Sequence, residues 1–287
     1  DDLFTMSEID ARDSDDVTLV FTVSPNASPG VSSGIIVNIT SENSYSRSQI
    51  INFVIGESQI IFFDNFENGT DNWTLSGDWG LTVDAFSGDY SLTDSPNGDY
   101  QPNQQTTAEL NFSLNESFLS NPKITYSAKW DIQLNRDFVR LQAFTHDEGW
   151  VSLEGENTVL GYGQSMQPDE EHGYDGFQGD WVYETIYLDQ LNNMDITSFR
   201  FILTSNNYIE GDGFILDNFQ ISGYPTGFMG DFNSDMEVNI FDILGLADLL
   251  LFGDAPSQTQ LFFCDFDSNG MLDVMDLLRL SNVILGL

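Results

Sequence analysis

Two stretches near the C-terminus place oxygen-bearing side chains at the same offsets. GDFNSDMEVNIFD begins at Gly230, and CDFDSNGMLDVMD begins 34 residues later at Cys264. Counted from Asp231, positions 1, 3, 5, 9 and 12 are Asp231, Asn233, Asp235, Asn239 and Asp242. Counted from Asp265, they are Asp265, Asp267, Asn269, Asp273 and Asp276. Calcium takes about six to eight oxygens at short range, and a loop of about 12 residues curls these offsets around one ion. Position 7 supplies a main-chain carbonyl, here from Glu237 and Met271. The last carboxylate falls in the first turn of a following helix, where its charge suits the helix N-terminus. One such match is commonplace. Two in tandem, each ending in an acid and running into a leucine-rich segment, are specific.

Catalytic chemistry is harder to find. His146 in THDEGW and His172 in EEHGYD form no dense zinc motif. A carboxylate pair such as Glu148 with Asp169 would suit a glycosidase, but acids are so abundant that chance pairing is expected. Cys264 adjoins a calcium loop and reads as a buried small hydrophobe. The chain reads as non-catalytic.

Charge narrows the partners. Of 287 residues, 46 are acidic and 8 basic, a formal charge of -38. Such a surface repels phosphate backbones and anionic headgroups, which argues against nucleic acid and membrane surfaces. It suits a protein secreted into salty water, extracellular or attached to a cell surface, where counterions screen self-repulsion. One cysteine allows no intrachain disulfide. IFDILGLADLLLFG is too short, and carries two aspartates, to span a bilayer. The sequence opens at Asp1 with no basic or apolar leader region, so either a signal has been removed or this is the tail of something longer.

The elements that must position these loops are mainly β. Before residue 57, VTLVFTV alternates Val17, Leu19, Phe21 and Val23, GIIVNIT alternates Ile35, Val37 and Ile39, and SQIINFVIG alternates Ile51, Phe53 and Ile55. Three or four strands make half an Ig-like sandwich, so residues 1–56 predict a partial Ig-like β domain. Residues 57–223 predict a jelly-roll β-sandwich. There KITYSAKWDIQL, SFRFILTS and GFILDNFQISG carry the two-residue period between Gly-, Asn-, Asp- and Ser-rich turns. After the hinge GYPTGFMG, residues 224–287 predict a small all-α domain. Its apolar stripes are Ile243, Leu246, Ala247 and Leu250, then Leu277, Leu280 and Ile284.

The tail is loop-helix, loop-helix, because Pro225 and three glycines deny the first loop an entering helix. In this it resembles a dockerin domain, over residues 229–287. That resemblance implies two calcium ions and docking onto a cohesin module of another protein. Position 6 is Gly270 in the second loop but Met236 in the first, so the first site is expected to be weaker or more strained. The positions matching the family's partner-contact pair are Ile240 with Phe241 and Val274 with Met275. They are apolar where small hydroxyl residues are common. Either the partner surface is unlike familiar cohesins, or the module packs on its own chain.

FFDNFENGTDNW, SGDYSLTDSPNGDY, YDGFQGDWVYETIYL and GDGFILDNFQISG are similar, in order, to β-sandwich accessory domains of secreted bacterial peptidases. These are the immune-inhibitor-A-like metallopeptidases and zinc carboxypeptidases with C-terminal extensions, related in architecture to MAM and carbohydrate-binding jelly rolls. The resemblance implies an upstream hydrolase and a structural calcium pinning the first and last strands. Asp64, Glu67, Asp94, Asp212 and Asp217 are its candidate ligands, against the plainer reading of solvated loop carboxylates. Trp73, Trp79, Trp130, Trp150 and Trp181 either line a sugar platform or fill the core. The leading reading is thus an accessory and anchoring region binding calcium and a cohesin-like or surface partner. A carbohydrate-binding module and a self-associating subunit of an extracellular assembly are the alternatives.

Overall fold

The computed structural model describes residues 18, 20–24, 27, 30–40, 45–114, 119–191, 195–235, 237–253, 255–267 and 269–286. Two of the three alternating runs before residue 57 form an antiparallel hairpin, β1 (Ser32–Thr40) with β2 (Ser46–Val54), in register Ile35 to Ile51. Val17 and Leu19 of the remaining run lie outside the described residues. Phe21 and Val23 lie in no strand, although the Phe21 ring packs 5.2 Å from Phe53. Alternation makes a strand only where a neighbour takes its hydrogen bonds, and no described strand flanks this hairpin.

The sandwich follows. In chain order its strands are β3 (Gln59–Asp64), β4 (Trp73–Leu75), β5 (Gly80–Thr82), β6 (Ser91–Thr93), β7 (Gln105–Leu110), β8 (Leu119–Ile132), β9 (Phe138–Thr145) and β10 (Gly149–Ser152). Next come β11 (Val159–Leu160), β12 (His172–Gly173), β13 (Gly176–Tyr187), β14 (Ile196–Thr204) and β15 (Gly213–Pro225). One sheet runs β10-β9-β14-β7-β4; the other runs β13-β8-β15-β6-β5, with β3 also paired to β15. All pairings are antiparallel.

The two-residue period decides which side chains meet between the sheets. On β8, Tyr126 and Ala128 point inward, while Lys123 and Lys129 keep some exposure on the other face. Phe201 of β14 packs against Trp73, Trp79, Tyr126, Phe214 and Phe219, which ties both sheets into one aromatic core. Within that core Tyr126 and Tyr174 share a hydroxyl contact of 2.6 Å, and Tyr174 donates to Glu184 at 2.8 Å. Asn157 and Thr185 donate their main-chain N–H groups to the same carboxylate, so Glu184 is buried without being left unsatisfied.

β3 and β15 run side by side with Gln59 opposite Gly223, so the chain enters and leaves the sandwich at one end. Beyond Pro225 come three helices, α1 (Ile240–Phe252), α2 (Gln258–Cys264) and α3 (Val274–Leu285). Leu246, Phe263, Cys264 and Leu280 are buried among them, with Phe232 packed beneath Gly245. A Cβ at Gly245 would stand 2.5 Å from the Phe232 ring, so this turn of α1 has room only for glycine.

α2 departs from the loop-helix, loop-helix reading. The second loop has a helix entering as well as leaving it, and the first does not. Its signal lay in S-x-x-Q: Ser257 accepts from the Gln260 N–H at 3.1 Å, and Gln260 accepts from the Ser257 N–H at 2.9 Å, closing a capping box.

Candidate functional site

Each loop is drawn shut by its own position-12 aspartate. Asp242 is wholly buried at the start of α1. One oxygen accepts from the Asn239 N–H at 2.7 Å, the other from Phe232 at 2.9 Å and Asn233 at 3.2 Å. Asp276 repeats this at α3, accepting from Asp273 at 2.9 Å and Phe266 at 2.8 Å. Asn239 and Asp273 are the N-cap residues, accepting from Phe241 and Met275. One carboxylate thus closes the loop, completes the cap and brings negative charge to the helix N-terminus.

The remaining offsets fold inward. In the first loop the Asp235 N–H donates to both Asp231 and Asn233, and the Asn233 amide donates to Asp235. Glu237 and Asn239 adjoin at the loop's far side. Met236 lies outside the described residues. In the second loop Asn269 and Gly270 donate to Asp265, and Met271 donates to Asn269. Gly270 has φ +81°, the left-handed turn for which position 6 favours glycine.

Asp265, Asp267 and Asp276 each offer a carboxylate oxygen within 4.8 Å of the others. Oxygens on opposite sides of a calcium ion stand about 5 Å apart, twice the usual metal–oxygen distance. Oδ1 of Asp267 is buried with no hydrogen-bond partner. A hard, unpaired anionic oxygen beside two other carboxylates fits a hard divalent cation. Behind the loops, burial and the neighbouring Asp242 push the Cys264 thiol up to about 12, so it packs as an inert side chain.

The five sandwich carboxylates do not gather in this way. Asp64 accepts from the Trp73 indole and the Asn72 amide, both at 3.0 Å. Glu67 accepts from the Asp89 and Tyr90 N–H groups, and Asp217 from Ser87, so these two hold the loop at 87–90. Asp94 and Asp212 lie at the start of β15, where Ser95 donates to the Asp212 carbonyl. Among the described residues, no three of the sandwich carboxylates converge as those of the second loop do.

Asp94 is nonetheless unusual. One oxygen accepts from the Phe214 N–H at 3.1 Å, while the other is buried without a partner. Burial, aided by Asp212, raises its pKa from 3.8 to about 7. A folded value above the unfolded one favours the fold fully below about pH 4 and loses that contribution as pH rises through 7. The sandwich is therefore expected to lose about 4 kcal/mol between pH 4 and pH 8 from this group. Thermal melts of the Asp94→Asn chain should show a flatter slope across that range; an unchanged slope would show that Asp94 titrates normally.

The tryptophans divide. Trp73 and Trp79 are buried in the core and Trp130 stacks on Phe214. Trp150 and Trp181 stand on the outer faces of opposite sheets, Trp150 beneath the Arg200 guanidinium at 3.9 Å and Trp181 beneath Lys129 at 5.1 Å. Period alone revealed neither, since it separates two faces without saying which one is wet. Arg140 pairs with Glu171 on the same outer face as Trp150, a partnership between distant residues that carries no local signature.

Residues 229–285 match the dockerin type I domain family, and this part of the chain is a dockerin type I domain. Dockerin domains bind calcium, take a cohesin as protein partner and belong to extracellular or cell-surface proteins. They are accessory rather than catalytic. No helix among the described residues is long and apolar enough to cross a membrane.

No curated protein matches the chain. Among solved structures, it is similar to the K3 cleaved adhesin domain of Lys-gingipain from Porphyromonas gingivalis w83, at 14% identity over 57% of this chain and 100% of that one, TM-score 0.37. A family 22 carbohydrate binding module of Clostridium thermocellum matches at 17% identity over 57% and 94%, TM-score 0.34. The family 11 carbohydrate-binding module from Clostridium thermocellum matches at 18% identity over 57% and 94%, TM-score 0.32. These likenesses concern the β-sandwich alone.

Proposed function

We propose that the chain is the accessory and anchoring region of a larger secreted bacterial protein, organised as units 1–56, 57–223 and 224–287. In this reading the dockerin holds two calcium ions. Asp231, Asn233, Asp235, Asn239 and Asp242 with the Glu237 carbonyl hold one; Asp265, Asp267, Asn269, Asp273 and Asp276 with the Met271 carbonyl hold the other. The ions fix the loops, the loops fix α1 and α3, and the helices present the docking surface. The protein so anchored is a hydrolase, a peptidase by the resemblance its sandwich motifs carry.

One observation carries the docking assignment. Ile240 and Val274, Phe241 and Met275, and Leu244 and Leu278 are pairs 34 residues apart, and all six side chains are at least half exposed. Among the described residues these side chains stay open to a partner. Exposed apolar side chains repeated on two helices suit an apolar protein surface. The cohesin they fit presents them an apolar surface, unlike cohesins that receive small hydroxyl residues at these positions.

Replacing Phe241 and Met275 together by serine is expected to weaken cohesin binding about a hundredfold, as loss of two anchor residues should. Titration calorimetry against cohesin modules in calcium buffer measures this. Far-UV circular dichroism checks that the helices persist. Full-strength binding by the folded variant would remove these residues from the interface.

A further inference from the structure

The outer face of β13 carries features that neither the dockerin nor the aromatic core explains. β13 is the edge strand of its sheet. Phe177, Tyr183 and Tyr187 are exposed by 77%, 62% and 52%, and Trp181 is half-buried between them in sequence. Phe177 is opposite Asp131, and Tyr183 is opposite Ser127, on the face turned away from the core. Large aromatics exposed in a row are costly to leave in water and mark contact surfaces.

Two surface grooves bracket this row. One, of about 220 Å³, is lined by Phe177, Gln178, Lys129, Asp131 and Asp212. The other, of about 270 Å³, is lined by Tyr187, Thr185, Glu154, Glu156 and Gln190. The strand between them spans roughly 25 to 30 Å, allowing for its bulge. An extended polymer, rather than a small molecule, would touch both.

Chemistry selects the polymer. Both grooves offer carboxylate and amide oxygens, which call for a ligand rich in hydroxyl donors. Lys129 is engaged by Asp84 at 2.5 Å and by the Trp181 ring, in a chain of charge -38. An anionic polymer would be repelled. A peptide strand would need the free edge of β13, but the Tyr183 and Thr185 carbonyls already accept from Asn157 and Glu156. The bulge between Gln178 and Val182 breaks the pairing register elsewhere. Pyranose rings offer apolar C–H faces to aromatic rings and hydroxyl rims to carboxylates and amides.

We propose that the outer face of β13 binds an extended neutral polysaccharide, along the row from Phe177 to Tyr187. The test is affinity electrophoresis of the full chain through gels containing xylan, mixed-linkage β-glucan, galactomannan or polygalacturonate. At least one neutral glycan should retard the chain, and polygalacturonate should not. Trp181→Ala with Tyr183→Ala should weaken retardation about tenfold, equivalent to one lost anchor. Near-UV circular dichroism would establish that this variant is folded. Trp150→Ala, on the opposite sheet, should leave retardation unchanged. No retardation by any neutral glycan, or equal loss with Trp150→Ala, overturns the proposal. Repeating the gel with chelator separates it from dockerin function, because glycan retention should persist when calcium-dependent docking is gone.

Discussion

Stripping calcium from the chain is expected to melt α1, α2 and α3 while the sandwich stays folded. Residues 229–287 carry ten carboxylates and one basic side chain, Arg279. Asp242 and Asp276 are wholly buried, and Asp231 nearly so. Without cations these groups repel one another, and the apolar core that opposes them is small. A domain of this size has only about 3–5 kcal/mol from its core. An ion at a thousand times its dissociation constant contributes about 4 kcal/mol per site. Losing two such contributions exceeds the reserve.

The probes separate cleanly. All five tryptophans lie between Trp73 and Trp181, so their fluorescence reports only the sandwich. Far-UV circular dichroism at 222 nm reports chiefly the helices. Chelator should abolish most of the helical signal and leave the fluorescence unmoved. Asp276→Ala should act in the same direction in saturating calcium, since it removes an ion ligand and a cap together, the cap alone costing about 0.5–2 kcal/mol. Full helicity in chelator would show that the helices fold without metal and that the buried aspartates are tolerated as acids.

Phe201→Ala is expected to be the most damaging single change to the sandwich. Phe201 is fully buried, with rings of Tyr126, Phe214, Phe219, Trp73 and Trp79 between 5.4 and 6.2 Å away. Those neighbours come from both sheets, so the cavity cannot be closed by moving one layer. Such truncations cost about 3–5 kcal/mol, against a total stability of about 5–15 kcal/mol. The midpoint of urea unfolding, followed by tryptophan fluorescence, should fall by about a fifth or more. Tyr208→Ala, at a side chain 75% exposed, should stay within about 0.5 kcal/mol of the parent. A cost below about 1 kcal/mol for Phe201→Ala would mean that the core repacks.

What the sequence revealed was local. The oxygen ladders of both loops were legible because every ligand lies within a dozen residues of the first, and the capping aspartates follow from the same count. KITYSAKWDIQL was legible because its two faces differ. Pairing was not: β14 lies between β9 and β7, and β15 between β8 and β3, choices made by surfaces that meet only after folding. VTLVFTV alternates as clearly as GIIVNIT, yet Phe21 and Val23 found no ladder. The row on β13 was obscured because Gly179 and Asp180, inside the bulge between Gln178 and Val182, interrupt its aromatic alternation with residues that carry no apolar signal. The unpaired oxygen of Asp267 belongs to geometry alone.

Because Gln59 lies opposite Gly223, the polypeptide arrives at the sandwich and departs from it at neighbouring points. The sandwich is therefore a pendant beside the line joining residues before Gln59 to the dockerin. Tension along that line pulls β3 and β15 apart from their shared end, breaking hydrogen bonds in succession rather than together. The outer hydrogen bonds of this strand pair would yield first, while β15 remains clasped by β8 on its other side. A tethered chain under load would lengthen by releasing a few residues of β3 before its aromatic core felt any strain.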